Sequence, residues 1–115
     1  MRPGSDSIPT APDLTGKPLE INTAHEGDAV VISVSGELDL AAADDLAGAI
    51  RDLEEIDSSA IVIDLSDLSF IDSTGLQTLL SAKSRSDGRL TFIPSEHEAV
   101  MRVLALTQAD QVLGL

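Results

Sequence analysis

Hydrophobic and polar positions along the chain follow a strand-like period first and a helix-like period afterwards. Apolar side chains alternate with polar ones from Leu19, a polar turn follows at residues 25–28, and residues 29–34 are mostly apolar, which predicts a β-hairpin. Residues 41–56 repeat apolar side chains at helical spacing with acidic side chains between them, which predicts an amphipathic helix. The short, almost continuously apolar run at residues 60–65 is typical of a central parallel strand.

The second half of the chain predicts two more helices and one more strand. A helix follows the sequence Asp-Ser-Thr-Gly at residues 72–75, and a strand follows at residues 90–93. Ser95 and Glu98 have the spacing of a capping box, in which each residue bonds to the other's amide, and this predicts a third helix that runs to about Thr107. Strands and helices that alternate after a hairpin predict an α/β fold with consecutive parallel strands as neighbours.

Two parts of the chain differ in composition. Four of the five prolines fall within residues 1–18, among serine, threonine, aspartate and glycine, so this segment is predicted to be a disordered N-terminal arm. Residues 19–115 are predicted to form a single domain, because 43% of the chain is hydrophobic and this suffices for one core without disulfides.

Charge and composition restrict the classes of ligand. Twenty acidic residues against seven basic ones give a formal net charge of −13, which repels nucleic acid and anionic lipid and favours a protein partner with a basic face. Phe70 and Phe92 are the only aromatic residues, so a base-stacking surface is not expected. No apolar run approaches the roughly 18–20 residues that span a bilayer, and the first residues do not resemble a secretory signal. A cytoplasmic location is therefore expected.

The most informative segment leads from the apolar run, through a polar loop, to Asp72, Ser73, Thr74 and Gly75. Ser73 is thereby placed at a helix N-terminus. One interpretation is that Ser73 only caps the helix, since serine is among the preferred N-cap residues. The other is a switch, because the free amides and the positive end of the helix dipole can hold a phosphate. Position alone leaves both interpretations open.

Other kinds of site are not expected. Ser73 lacks the Gly-x-Ser-x-Gly setting of a serine hydrolase, and His25 and His97 lie far apart in positions typical of surface residues. Neither a catalytic residue nor a metal site is therefore predicted. Asp64 follows an apolar strand as in phospho-aspartate receivers, but the lysine that such a site needs after a later strand is absent. The chain has no glycine-rich phosphate loop and no cysteine, and no cofactor is expected.

Two segments, residues 35–39 and residues 64–76, resemble the STAS family of anti-sigma factor antagonists. The resemblance covers roughly residues 19–113, and it implies a STAS-like mixed β-sheet with helices packed mainly on one face. It also implies a bacterial protein that regulates transcription by binding rather than by catalysis. One departure lies near the end of the chain, where Gln108 follows Thr107 and many relatives have a glycine.

The resemblance implies a role for particular residues. Ser73 matches the hydroxyl residue that is phosphorylated by an anti-sigma factor that is itself a serine kinase, and Asp39, Asp72, Thr74 and Gly75 match the partner surface. In that family the unphosphorylated antagonist binds the anti-sigma factor and frees the sigma factor, phosphorylation ends the binding, and a phosphatase resets the switch. The alternative is a STAS module that is never phosphorylated and serves as an accessory subunit of a transporter or a signalling assembly.

Overall fold

A computed structural model describes residues 18–56, 60–86 and 88–115. The predicted arm lies outside the described residues except for Pro18, so the boundary between arm and domain stays a prediction. The elements, in chain order, are β1 (Glu20–Glu26), β2 (Ala29–Leu38), α1 (Leu40–Ile56), β3 (Ala60–Ile71), α2 (Ser73–Arg85), β4 (Leu90–Ile93), α3 (Glu98–Leu106) and α4 (Ala109–Leu113).

The four strands form one mixed sheet in the order β1-β2-β3-β4. β1 pairs with β2 in antiparallel orientation, and Gly27 in the turn between them has a φ of +62°, a value that favours glycine. β2, β3 and β4 are parallel to one another, with a helix in each connection. The predicted hairpin and the predicted α/β order are both confirmed.

The core lies on one face of the sheet. Along β2 every second side chain is buried, beginning with Val30, Ile32 and Val34, while the residues between them are only half-buried. Leu46 and Ile50, on the apolar stripe of α1, join Ile32 and Val34 in one buried cluster. Each fully buried Leu or Ile contributes roughly 1.5–3 kcal/mol relative to an exposed one, so this one-sided cluster supplies most of the stabilisation.

β3 continues well beyond the apolar run that predicted it. Residues 66–71 were expected to form a loop, but the strand extends to Ile71. Its pairing with β2 shifts register twice, so that β3 carries extra residues there and departs from strict alternation. Leu65, Leu68 and Ile71 are all buried although they are three residues apart. The predicted loop is therefore wrong, because bulges replace the period of two.

Polar side chains stabilise the bulged half of β3. Asp64 Oδ1 accepts a hydrogen bond from the Ser66 amide at 2.9 Å, and the Ser69 hydroxyl donates to the Gly36 carbonyl at 3.0 Å. Backbone groups that a bulge leaves without a ladder partner must be satisfied in another way. The side chains of Asp64 and Ser69 supply those partners here.

The entry into α3 also differs from the prediction. The Ser95 hydroxyl accepts from the His97 amide at 2.9 Å and donates to the Leu68 carbonyl at 2.8 Å, while Glu98 is the first residue of α3. Glu98 pairs instead with Arg102, one turn further along, at 3.8 Å. The predicted capping box is wrong, because the serine is buried and bonds to β3.

The C-terminal segment forms an additional short helix. The sequence pattern predicted no element after about Thr107, but α4 follows, and its Ala109 and Leu113 join the core. Between α3 and α4, Gln108 has a φ of +61°, in the left-handed region. This is the position at which the sequence departs from the resemblance, because glutamine stands where many relatives have a glycine.

Candidate functional site

Two strand-to-helix junctions meet at one end of the sheet. β2 leads into α1 and β3 leads into α2, and because the two strands are parallel neighbours, both junctions lie at their carboxyl ends. Open α/β sheets bind their ligands outside this end of the strands. All five residues predicted for phosphorylation or partner binding belong to these two junctions, namely Asp39, Asp72, Ser73, Thr74 and Gly75.

An aspartate occupies the position before each helix. Asp39 Oδ1 accepts from the Ala42 amide at 3.1 Å, and Asp72 Oδ1 accepts from the Gly75 amide at 2.9 Å. Asp72 is the N-cap of α2, with an extended backbone, and Ser73 is the first helical residue. The interpretation of Ser73 as the cap is therefore wrong. Aspartate caps a helix about as well as serine does and leaves the Ser73 hydroxyl unused.

Asp72 also connects the two junctions. Its second carboxylate oxygen, Oδ2, accepts from the Leu40 amide at 3.0 Å, so a single carboxylate binds the first turns of both helices. The Asp72 amide donates to the Leu38 carbonyl at 3.1 Å. These bonds fix the position of Ser73 relative to the β2–α1 junction.

Gly75 brings the start of α2 against the end of β2. The residue is buried, and a Cβ added to it would lie 2.6 Å from the Leu38 carbonyl oxygen and 2.7 Å from Leu38 Cγ. Only a residue without a side chain allows this approach. The structure thus gives Gly75 a packing role, and the contact with a partner that the resemblance implied for it stays a prediction.

The two adjacent hydroxyl residues have different environments. Ser73 is exposed, and among the described residues its hydroxyl has no hydrogen-bond partner. Thr74 is half-buried, and its carbonyl accepts from the Thr78 hydroxyl at 3.0 Å. Ser73 is the more accessible of the two.

The apolar spacing of α1 did not indicate the exposure of Leu40. Its spacing from Ala43 and Ile50 places it on the apolar stripe of α1, yet the residue is 72% exposed. A residue that directly follows an N-cap aspartate lies in the first helical turn, at the end of the strands, where the core ends. The place of Leu40 directly after Asp39 was therefore the signal in the sequence that could have indicated its exposure.

Both histidines, His25 and His97, are exposed. His97, which is exposed, lines a pocket of about 430 Å³ that does not include Ser73. Within residues 18–56, 60–86 and 88–115, no three acidic or histidine side chains come together as a metal ion would require. None of the helices that these residues form is long and apolar enough to cross a membrane.

A family model of the STAS domain matches residues 20–115. The chain belongs to the STAS domain family. The resemblance predicted from residues 35–39 and 64–76 is confirmed, and so is the fold that it implied, a mixed sheet with its core on one face.

Several proteins similar to this STAS protein are named anti-sigma factor antagonists. The anti-sigma-F factor antagonist RsfB of Mycobacterium tuberculosis is 35% identical over 107 residues, which are 92% of this chain and 84% of RsfB. The crystal structure of an anti-sigma factor antagonist from Mycobacterium paratuberculosis superposes with a TM-score of 0.76 at 29% identity, over 90% of this chain and 86% of that one. Unphosphorylated SpoIIAA, an anti-sigma factor antagonist, matches with a TM-score of 0.66 over 84% of this chain and 98% of its own, and at 20% identity it shows the fold alone.

Proposed function

We propose that this STAS protein is an anti-sigma factor antagonist controlled by phosphorylation of Ser73. The unphosphorylated form binds an anti-sigma factor that is also a serine kinase, and the sigma factor is released. Phosphate on Ser73 ends the binding, and a phosphatase restores it. The protein acts in the bacterial cytoplasm through competition between binding partners, without catalysis of its own.

The observation that supports this proposal most strongly is the placement of Ser73. Its hydroxyl is exposed and uncommitted at the first position of α2, because Asp72 performs the capping. The amides in the first turn of a helix have no carbonyl partner within the helix, and the positive end of the dipole favours an anion. A phosphate here is tolerated by the fold and presented at the surface.

The physical basis of the switch is electrostatic and steric. A phosphate adds about −1.5 to −2 charges and a tightly held hydration shell. It would lie directly beside the Asp72 carboxylate, near the junction that carries Asp39, in a chain whose net charge is already −13. A contact that must be dry and complementary in the complex would then contain an unpaired anion. A loss of 2–3 kcal/mol corresponds to roughly 30- to 150-fold in affinity, enough to reverse a competition between two partners.

The test is isothermal titration of the anti-sigma factor kinase with four forms of the antagonist: the unmodified protein, its phosphorylated form, and the variants Ser73→Ala and Ser84→Ala. Ser84 is an exposed serine in the last turn of the same helix, so Ser84→Ala is the matched control. We expect Ser73→Ala to bind like the unmodified protein and to resist the kinase. The phosphorylated protein should bind at least about 30-fold more weakly, which corresponds to about 2 kcal/mol.

Two results would refute the proposal. One is equal affinity in all four forms, which would favour the accessory-subunit interpretation. The other is incorporation of phosphate into Ser73→Ala at the rate seen for Ser84→Ala. In that case Thr74 is the first alternative acceptor, and peptide mapping by mass spectrometry separates the two adjacent positions.

A further inference from the structure

A groove between α1 and α2 begins beside Ser73 and carries positive charge. Its volume is about 250 Å³. Thr74, the residue after Ser73, forms one end, and the groove extends along α2 as far as Arg85. The remaining lining residues are Ala47, Arg51, Gln77, Thr78 and Ser81.

Arg85 and Ser81 both offer hydrogen-bond donors to this groove. Arg85 is held from α1 by Glu54, whose Oε1 lies 3.4 Å from Arg85 Nη2, and a guanidinium with five N–H groups keeps donors to spare. Ser81 accepts from Gln77 Nε2 at 3.4 Å, so its own proton remains available. The groove therefore has fixed donors on its α2 side.

Arg51 supplies a second guanidinium from the α1 side. It is exposed, and it forms no ion pair with any residue that the structure describes. Two other arginines, Arg85 and Arg102, each pair with a glutamate. An unpaired arginine that faces hydroxyl groups and a second arginine leaves the groove complementary to an anion.

We propose that this groove receives a carboxylate of the protein partner, an aspartate or glutamate side chain of the anti-sigma factor. This inference rests on the proposed function, because it takes the partner to be the protein that contacts Ser73. The acidic surface as a whole attracts any basic face, whereas a pair of arginines selects an acidic group at one position. Such a contact fixes the register and orientation of the complex.

The sign of one substitution distinguishes this contact from general electrostatics. Arg51→Glu makes the protein more acidic, so general attraction to a basic partner should become stronger. If the groove holds a carboxylate, the same substitution should weaken binding about tenfold or more. Arg102→Glu is the matched control, because Arg102 is exposed on α3, outside the groove, and the change in net charge is identical. We expect Arg102→Glu to bind at least as tightly as the unmodified protein.

The binding experiment uses the anti-sigma factor kinase, with Arg51→Gln as a second variant and circular dichroism to verify that each protein is folded. Arg51→Gln should show a smaller loss than Arg51→Glu. Equal affinities of Arg51→Glu and Arg102→Glu, with tight binding of the unmodified protein, would overturn the groove proposal and leave the proposed function intact.

A second measurement needs no anti-sigma factor. A tetraglutamate peptide is titrated into the protein while the amide signals of Thr74, Gln77 and Ser81 are followed by NMR, with inorganic phosphate in a parallel titration. We expect shifts with the peptide that disappear in Arg51→Glu and persist in Arg102→Glu. Shifts with phosphate but not with the peptide would indicate a small-anion site and would overturn the proposal. The absence of shifts with either ligand would also overturn it. Peptide shifts without any binding of the anti-sigma factor would show that the groove binds carboxylates, but they would refute the proposed function and, with it, the anti-sigma factor as the source of the carboxylate.

Discussion

Asp72 is the residue whose replacement should disturb the site most, since its carboxylate bonds to the first turns of two helices. Oδ1 caps α2 through the Gly75 amide at 2.9 Å, and Oδ2 accepts from the Leu40 amide at 3.0 Å. Loss of an N-cap costs about 1 kcal/mol, and an exposed hydrogen bond contributes about 0.5–1 kcal/mol. Asp72→Ala loses both bonds and should cost about 1.5–2 kcal/mol, by addition of those two values.

Asp72→Asn separates the two contributions. Asparagine is a good N-cap, so the bond to Gly75 is retained. Its side-chain NH2 group, however, would then face the Leu40 N–H, and two donors cannot form a hydrogen bond with each other. The expected cost is therefore only the second bond, about 0.5–1 kcal/mol. For a domain of this size, 1 kcal/mol lowers Tm by roughly 4–8 °C, so Asp72→Ala should melt about 6–16 °C lower and Asp72→Asn about 2–8 °C lower.

The assay is thermal and urea unfolding, with hydrogen exchange of the Leu40 amide as the local measurement. Asp52→Asn, at an exposed position of α1, corrects for the general gain that follows from removing one negative charge. Both Asp72 variants should exchange the Leu40 amide faster than this control. Unchanged exchange in Asp72→Asn, or equal stability of Asp72→Ala and Asp52→Asn, would refute the connection between the two junctions.

Two further predictions concern backbone conformation. Gly75→Ala should lower the free energy of unfolding by about 1–3 kcal/mol despite the higher helix propensity of alanine, because its Cβ would overlap the Leu38 carbonyl. The control Gly48→Ala has no atom within 4 Å of the added Cβ and should be neutral or stabilising by up to about 1 kcal/mol. If urea unfolding showed Gly48→Ala to be the less stable of the two, the packing argument would be contradicted. Gln108→Gly should raise the midpoint of urea unfolding, because relief of a left-handed residue, about 1–2 kcal/mol, exceeds the entropy cost of glycine, about 0.5–1 kcal/mol. Gly114→Ala, at a φ of +78°, should instead lower the midpoint of urea unfolding. If Gln108→Gly lowered the midpoint as well, the left-handed conformation of Gln108 would not be strained.

The sequence predicted those elements whose side chains follow a regular period. The helix α1 and the strand β4 were found within one residue of their bounds, because burial on one face imposes a period of 3.6 or two on the apolar side chains. Residues 66–71 were misassigned for the same reason. Bulges shift the register of β3, and the buried positions Leu65, Leu68 and Ile71 then follow a period of three that matches neither template.

Long-range hydrogen bonds were beyond the reach of local patterns. The capping box at Ser95 fits the spacing rule, but the hydroxyl bonds to Leu68, 27 residues away. The Asp72–Leu40 bond spans 32 residues and has no local signature. The resemblance named five residues that the structure places at two neighbouring junctions, whereas their arrangement, with Asp72 as the cap and Ser73 uncommitted, required the structure.

The arrangement separates two tasks between adjacent residues. Asp72 and Gly75 hold the two junctions together, and Ser73 takes part in none of those contacts. If Ser73 itself capped α2, phosphorylation would replace a structural bond, and part of the free energy of modification would be spent on reorganising the helix start. With the cap supplied by Asp72, a phosphate on Ser73 changes the surface while the backbone beneath it keeps its bonds. The proposed switch can then act on partner affinity with little change in the stability of the domain.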